Sequence, residues 1–280
     1  MNEQLRRHAV GAPAARSVLL TMLGEYVLPA SGSAWQETLI GALGAVGHKT
    51  HAARQALARS IAAGWLRTER HGRRSRVHLM PDTAEMLRSG AQRIYSFGEP
   101  WDWDGHWLLV VLRVPEERRE VRHQVRTRLA WAGFGSLGGG LWITPHVERE
   151  RELRDLTGGG VAEVVSFRAE VGDLGDPRKV IADAWDLGAV AEAYRAFAAQ
   201  FGRMRPNGPE ATFRAQTLLV HEWRRFPFLD PDLPDDLLPA RWPRRRAHEL
   251  FAERHAQWHP TAQQHFAALE AAGGAPDVAA

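Results

Sequence analysis

The chain has 280 residues, of which 44% are hydrophobic and 25% are charged, a composition typical of a globular protein with two or three domains. It contains no cysteine, which excludes a disulfide framework, thiol catalysis and cysteine-based zinc or iron–sulfur sites. The first residues have no long apolar core, and no apolar run approaches the length of a membrane span, so we expect a cytoplasmic protein.

The net charge of +3 conceals an uneven distribution along the chain. Residues 1–96 carry 13 Lys and Arg against 6 Asp and Glu, a net charge of +7. The remaining residues carry 23 against 27, a net charge of −4. A basic segment in an otherwise balanced chain is typical of a DNA-binding protein, because the neutralisation of phosphates supplies much of the affinity.

Two amphipathic helices are predicted near the start of the chain. The first spans residues 15–28, where apolar side chains recur at helical spacing. Its apolar face consists of Val18, Leu19, Met22, Leu23 and Tyr26. The second helix spans residues 34–46, with Ser33 as its N-cap and Glu37 as the capping partner.

Residues 47–80 predict a third helix followed directly by a hairpin. The helix begins near Thr50, because small and apolar residues recur at every third or fourth position after it. Two extended runs then flank a turn at Gly72, which predicts a short β-hairpin. Between Leu66 and Leu79 five arginines stand against one acidic residue.

Three helices and a hairpin in this order predict a winged helix-turn-helix DNA-binding domain over residues 1–80. The candidate base-reading residues are His51, Arg54, Gln55 and Arg59. The candidate phosphate-binding residues are Lys49, Thr50, Arg67, Arg70, Arg73, Arg74 and Arg76. The alternative is a DNA-independent protein-interaction scaffold whose arginines are merely solvated.

The rest of the chain predicts further domains, which makes the protein α+β in class. Residues 81–104 form a linker helix and an aromatic connector. Residues 105–176 alternate strand, helix, strand, helix and strand, which suggests a ferredoxin-like α/β sandwich for dimerisation and effector binding. Residues 177–280 predict a mainly helical C-terminal domain.

Several motifs of these later segments occur together in a fixed order. They are Trp103–Trp107, Val114–Glu116, Leu129–Gly135, Gly140–Pro145, His221–Arg224, Phe226–Pro227, Asp230–Pro231 and Leu237–Pro239. This set resembles the middle and C-terminal domains of the PaaX family, and the resemblance extends from the first helix to about residue 265.

The resemblance implies a transcriptional repressor and not an enzyme, with no cofactor. It implies a homodimer that binds an imperfect palindrome in double-stranded DNA and regulates aromatic-acid or related metabolism. It also implies release from DNA by a small-molecule effector, such as phenylacetyl-coenzyme A or another acyl-coenzyme A thioester.

The effector site is open to two interpretations. An aromatic pocket could be formed by Trp101, Trp103, Trp107, Trp131 and Trp142, with Arg224 and Arg225, or alternatively Arg244–Arg246, binding the coenzyme A phosphates. The tryptophans could equally fill the core and the contacts between domains, and we favour core packing for Trp107, Trp131 and Trp142.

A metal-dependent nuclease is the alternative among enzymes. The segment 107–119 resembles the opening of small CRISPR-associated nucleases, which need a carboxylate at the end of the first strand to hold a divalent ion. Here the strand ends in Leu112, Arg113 and Val114, so we predict no nuclease activity.

Two further motifs are interpreted as structural. Residues 133–138 match a dinucleotide-binding fingerprint, but they follow a helix and lead into a strand, so we expect a flexible turn. His255 and His259 are four residues apart and could hold a metal with His248 or Glu249. Because Pro260 follows at once, we predict a final helix over residues 244–259 with these histidines on its surface, and no metal.

Overall fold

The computed structural model describes residues 14–99, 101–115, 117–157 and 163–274. It confirms an α+β protein with two antiparallel sheets. Across the described residues, no helix combines the length and apolar character that crossing a membrane requires. The chain divides into two compact units. Unit 1 contains the described parts of Met1–Ser96, Phe197–Arg224 and His248–Ala280, and unit 2 those of Phe97–Ala196 and Arg225–Ala247.

The helices are α1 (Ala15–Met22), α2 (Leu28–Ala30), α3 (Gln36–Ala45), α4 (Thr50–Ala62), α5 (Pro81–Ser96), α6 (Arg119–Trp131), α7 (Leu153–Thr157), α8 (Pro177–Ala184), α9 (Leu187–Arg203), α10 (Pro209–Trp223), α11 (Phe226–Leu229) and α12 (Arg244–Gly274). A π-helical segment, Leu23–Val27, joins α1 to α2, and 3-10 turns cover Val147–Glu152 and Asp235–Leu237. The strands are β1 (Ser33–Trp35), β2 (Leu66–His71), β3 (Arg74–Leu79), β4 (Trp107–Arg113), β5 (Gly135–Gly138), β6 (Leu141–Thr144) and β7 (Glu163–Ala169).

The core of unit 1 is built from elements that are distant in sequence. The predicted apolar face of the first helix is confirmed, because all five of its residues are buried. The same buried cluster contains side chains of α3 and α4. Phe213 from α10, and Ala262 and Phe266 from α12, complete it. The C-terminal helices therefore close the core that the first 96 residues begin.

The predicted end of the last helix before Pro260 is wrong, because α12 continues to Gly274. Proline inside a helix removes one backbone hydrogen bond. Ala262 and Phe266 lie beyond the proline and are buried in the core of unit 1. Their burial offsets the lost bond and keeps the segment helical.

The predicted N-cap at Ser33 is also wrong. Ser33 lies in β1 opposite His78 of β3, and α3 begins only at Gln36. No neighbouring side chain caps α3. Instead the carboxylate of Glu270 in α12 accepts a hydrogen bond from the Trp35 backbone N–H at 3.1 Å. A partner 235 residues away cannot be found from local spacing.

Unit 2 contains a four-stranded antiparallel sheet in the order β5-β6-β4-β7. Side chains of β4 alternate between two buried clusters. Leu108 and Val110 pack with Leu129 of α6, whereas Trp107 packs with Ile181 of α8. Buried side chains therefore pack against both faces of β4, which explains why this strand is almost entirely apolar.

The prediction of a flexible turn over residues 133–138 is wrong, because Gly135–Gly138 form strand β5, which pairs with β6. A Cβ atom on Gly135 would lie 2.6 Å from the side chains of Ala184 and Trp185. Glycine is therefore required here because the end of α8 packs closely against the strand, and not because the backbone is flexible. The glycine content concealed the fourth strand of the sheet.

A polar cluster lies inside unit 1 around the buried carboxylate of Glu25, in the π-helical segment. His255 Nε2 and His259 Nδ1 each lie 3.1 Å from Glu25 Oε1. Gln216 Nε2 donates to the same oxygen at 2.8 Å. The Tyr95 hydroxyl donates to Oε2 at 2.5 Å. The two histidines contact a buried acid and are not the free surface residues that we predicted.

The environment of Glu25 favours its ionised form. Burial alone would raise the pKa of the carboxyl group. Hydrogen bonds from His255, His259 and Tyr95 outweigh that effect and hold the pKa of Glu25 well below its usual range. The hydrogen bond to Glu25 in turn raises the pKa of His259. A negative charge is thus held inside unit 1.

We expect Gly135→Ala to destabilise unit 2 by about 1–3 kcal/mol, because the new methyl group overpacks the contact with Ala184 and Trp185. Gly172→Ala is the matched control, since a Cβ there meets nothing within 4 Å. Thermal unfolding of both variants checks this. Equal melting temperatures for the two variants would contradict the packing role of Gly135.

Candidate nucleic-acid interface

One face of α4 is polar and exposed. Ala53, Ala56 and Leu57 are buried on the opposite face. Gly47 has a φ of +98° in the connection from α3, a conformation that glycine adopts readily. The exposed side chains are His51, Arg54, Gln55 and Arg59, with Lys49 and Thr50 at the N-terminal end. The helix contains no acidic residue, so this face offers hydrogen-bond donors and positive charge.

Strands β2 and β3, here called the arginine hairpin, extend this surface within unit 1. Arg67, Arg70 and Arg73 are exposed, and Arg73 lies in the two-residue turn after Gly72. The one acid of the hairpin, Glu69, faces one arginine and two histidines. Its carboxylate lies 2.9 Å from His78, 3.2 Å from His71 and 3.8 Å from Arg67.

The other two arginines of the hairpin bond within the protein. Arg76 pairs with Glu270 at 3.2 Å and donates to Ser33 Oγ at 3.0 Å. Arg74 donates to the carbonyl oxygen of Gly273 at 3.1 Å. These contacts attach the arginine hairpin to the end of α12, a role that the sequence pattern did not indicate.

The two predicted effector tryptophans lie in unit 2 and have aromatic neighbours there. Trp101 stacks on His146, with ring centroids 4.8 Å apart. Trp103 packs edge-on against Trp107 at 5.2 Å, and its Nε1 donates to the His106 carbonyl at 2.8 Å.

The arginines predicted to bind the phosphates of the effector have varied surroundings. Arg224 belongs to unit 1 and donates to the hydroxyl and carbonyl of Ser17 at 2.7 and 3.0 Å. Arg225 belongs to unit 2. Arg244, the first of the alternative trio, is buried and holds the carboxylates of Asp232 and Asp235 at 2.7 and 3.2 Å. Arg244 therefore forms ion pairs with the loop before α12. The effector pocket stays a prediction.

Strand β4 ends at Arg113, whose guanidinium lies 3.7 Å from Glu163 of β7. Among the described residues, one group of acidic and histidine side chains lies close enough together to hold a metal ion. It consists of Glu25, His255 and His259, in unit 1. The described end of β4 offers no such group.

These features define an α+β protein with a basic helix-and-hairpin surface in one unit and a four-stranded sheet in the other. Family profiles match in chain order: PaaX-like protein over residues 14–81, PaaX protein central Cas2-like domain over 100–181, and PaaX-like protein C-terminal domain over 185–268. The chain therefore belongs to the PaaX family.

Two individual proteins are similar over most of the chain. The transcriptional repressor PaaX of Escherichia coli (strain K12) is 30% identical over 258 residues, which span 87% of this chain and 81% of the relative. The solved structure of uncharacterized protein Rv0674 from Mycobacterium tuberculosis has a TM-score of 0.58 and 21% identity, over 91% of this chain and 98% of that one. This second likeness concerns the fold alone.

We expect the pair Arg76–Glu270 to stabilise unit 1. In a double-mutant cycle with Arg76→Gln and Glu270→Gln, the coupling energy should be about 1 kcal/mol, because only 26% and 22% of the two side chains are exposed. The control pair Arg88–Glu85 is 61% and 70% exposed and should couple by less than about 0.5 kcal/mol. Urea unfolding measures both cycles. Equal coupling in the two would show that α12 does not stabilise the arginine hairpin through this pair.

His146 should make unit 2 sensitive to acid. Burial, followed by the charge of Arg149, lowers the pKa of His146 to about 4, whereas the unfolded residue titrates near 6.5. The unfolded state therefore binds more protons between these values, and stability falls as the pH drops through this range. The loss from pH 7 to pH 5 should be about 2 kcal/mol. Urea unfolding of the wild type and His146→Gln checks this, and an equal loss in both would contradict it.

Proposed function

We propose that this protein is a DNA-binding transcriptional repressor. The observation that carries the proposal is the exposed, acid-free face of α4 beside the arginine hairpin, in a chain of the PaaX family. We infer that α3, α4 and the arginine hairpin form a winged helix-turn-helix, with α4 as the helix that enters the major groove. The similar E. coli protein is named a transcriptional repressor, which supports this function.

The side chains divide into two roles by position. On α4, Arg54 suits guanine and Gln55 suits adenine, because each can make two hydrogen bonds to that base edge. His51 and Arg59 extend the same exposed face. The phosphate contacts come from Lys49, Thr50, Arg67, Arg70 and Arg73. Arg74 and Arg76 instead fix the hairpin through the end of α12.

We infer that the protein acts as a homodimer paired through unit 2. The strand order β5-β6-β4-β7, with helices after β4 and β6, supports the prediction of a ferredoxin-like sandwich. The edge strand β7 exposes 45% of Val165 and 54% of Phe167, two residues apart and thus on one face. An exposed apolar edge is suited to pairing with a second copy. A palindromic operator then presents half-sites about 34 Å apart, or a multiple of it.

The proposed effector is an acyl-coenzyme A thioester. Trp101 and Trp103 supply aromatic surface in unit 2, and Arg225 supplies positive charge for phosphates in the same unit. The effector releases DNA only so far as it binds the DNA-free arrangement more tightly than the DNA-bound one.

The test is fluorescence anisotropy on DNA from upstream of the gene and on scrambled DNA, at two salt concentrations, with and without phenylacetyl-coenzyme A. We expect preference for the upstream DNA, weakened by salt and by the thioester. Preference that the thioester leaves unchanged would retain the repressor and discard the effector. Equal binding to both DNAs would overturn the proposed function.

Substitutions should separate base contacts from phosphate contacts. Arg54→Ala or Gln55→Ala should cost about 1–3 kcal/mol on the operator and relax base preference. Arg73→Ala should weaken binding to all DNA alike and reduce the salt slope by about one unit. Arg88→Ala, an exposed arginine of α5, is the control. Unchanged operator preference in Arg54→Ala would refute the role of α4 in reading bases.

A further inference from the structure

We propose that Glu25, His255 and His259 form a binding site for a divalent transition-metal ion of the zinc class. This site is separate from the DNA-binding residues and does not depend on the proposed function. One carboxylate oxygen and two imidazole nitrogens all lie within 4.8 Å of one another. Zinc–nitrogen and zinc–oxygen bonds of about 2.0–2.2 Å set the ligand atoms of a tetrahedral site roughly 3.3–3.6 Å apart. Glu25 Oε1 lies at a similar distance, 3.1 Å, from each of the two imidazole nitrogens.

The hydrogen bonds around Glu25 support a cation at this place. Three nitrogens, from His255, His259 and Gln216, lie within 3.1 Å of the single oxygen Oε1. A carboxylate oxygen has only about two lone-pair directions for hydrogen bonds. A metal ion that binds Oε1 and both imidazoles resolves this crowding, and leaves Gln216 as the one donor to that oxygen.

The backbone positions the three ligands from two elements. His255 and His259 are four residues apart in α12, so both rings project from one helix face, and their centroids are 4.8 Å apart. Glu25 lies in the π-helical segment, a local widening of the helix that is frequent at functional sites. Pro29 has no N–H to donate to the Glu25 carbonyl, and Gln263 Nε2 donates to it at 2.7 Å.

Neighbouring side chains orient the carboxylate. The Tyr95 hydroxyl donates to Oε2 at 2.5 Å and lies 3.3 Å from His255 Nε2. Gln216, which is fully buried, donates to Oε1. Such outer hydrogen bonds fix ligand orientation and contribute substantially to metal affinity.

The donor set selects the class of ion. Two imidazoles and one carboxylate favour zinc, nickel, copper or iron over magnesium and calcium, which prefer oxygen ligands. Three protein ligands leave a fourth coordination position for water or a small ligand. The ion would join α12 to the π-helical segment that follows α1, so its binding should stabilise unit 1.

The experiment uses the full-length protein after removal of metals with a chelator. Zn²⁺ is titrated in competition with a chromophoric chelator, and Co²⁺ is added as a spectroscopic probe. We expect one Zn²⁺ per chain, visible Co²⁺ absorption bands typical of a four- or five-coordinate site, and a higher melting temperature with Zn²⁺ but not with Mg²⁺. His259→Gln should bind Zn²⁺ at least tenfold more weakly and lose the rise in melting temperature.

His265→Gln is the matched control, because it removes a histidine of the same helix outside the cluster. It should bind Zn²⁺ like the wild type. Failure of the wild type to bind one Zn²⁺ would overturn the proposal, whatever the variants do. Equal Zn²⁺ affinity in His259→Gln and His265→Gln would also overturn it, and would leave the cluster as a hydrogen-bond network alone.

Discussion

Unit 1 depends on the requirement that a buried charge must have partners. The carboxylate of Glu25 is inside the protein, and an unpaired ion there would cost several kcal/mol. Its partners come from α5, α10 and α12, as far as 234 residues along the chain. The π-helical segment after α1 can therefore bury a paired charge only when these three helices supply the partners.

The same long helix links this buried charge to the surface that we propose for DNA. One stretch of α12 supplies His255 and His259 to Glu25, and its end supplies Glu270 and Gly273 to the arginine hairpin. The interior contacts and the hairpin contacts are therefore made by one continuous helix, although Pro260 lies between them.

Local patterns predicted the elements whose contacts are local. The apolar stripe of the first helix, the start of α4 at Thr50 and the hairpin around Gly72 follow from periodicity and turn chemistry. Contacts between distant residues were not predictable in this way. Ser33 resembled an N-cap because Glu37 follows it about where a capping partner would stand. The N-cap residue is instead Trp35, and the acid that accepts from its backbone N–H is Glu270 rather than Glu37.

Two features that were not predicted have signals in the sequence. Glu25 is a lone acid three residues after Met22, on the apolar stripe of the first helix, and such a residue needs a buried partner. Gly135 suggested flexibility, whereas the absence of a Cβ serves a close contact. The functional roles of the residues on α4 and the arginine hairpin remain proposals, because exposure and charge indicate a surface but not its ligand.

The dependence of the first 96 residues on α12 has a consequence for synthesis of the protein on the ribosome. A nascent chain that has not yet reached His255 has no partner from α12 for Glu25, and the apolar surface that Phe266 covers is open to water. The N-terminal segment emerges first but acquires its native surroundings last. An unfinished chain therefore cannot complete the core on which the polar helix α4 and the arginine hairpin rest, and only the finished chain buries this apolar surface.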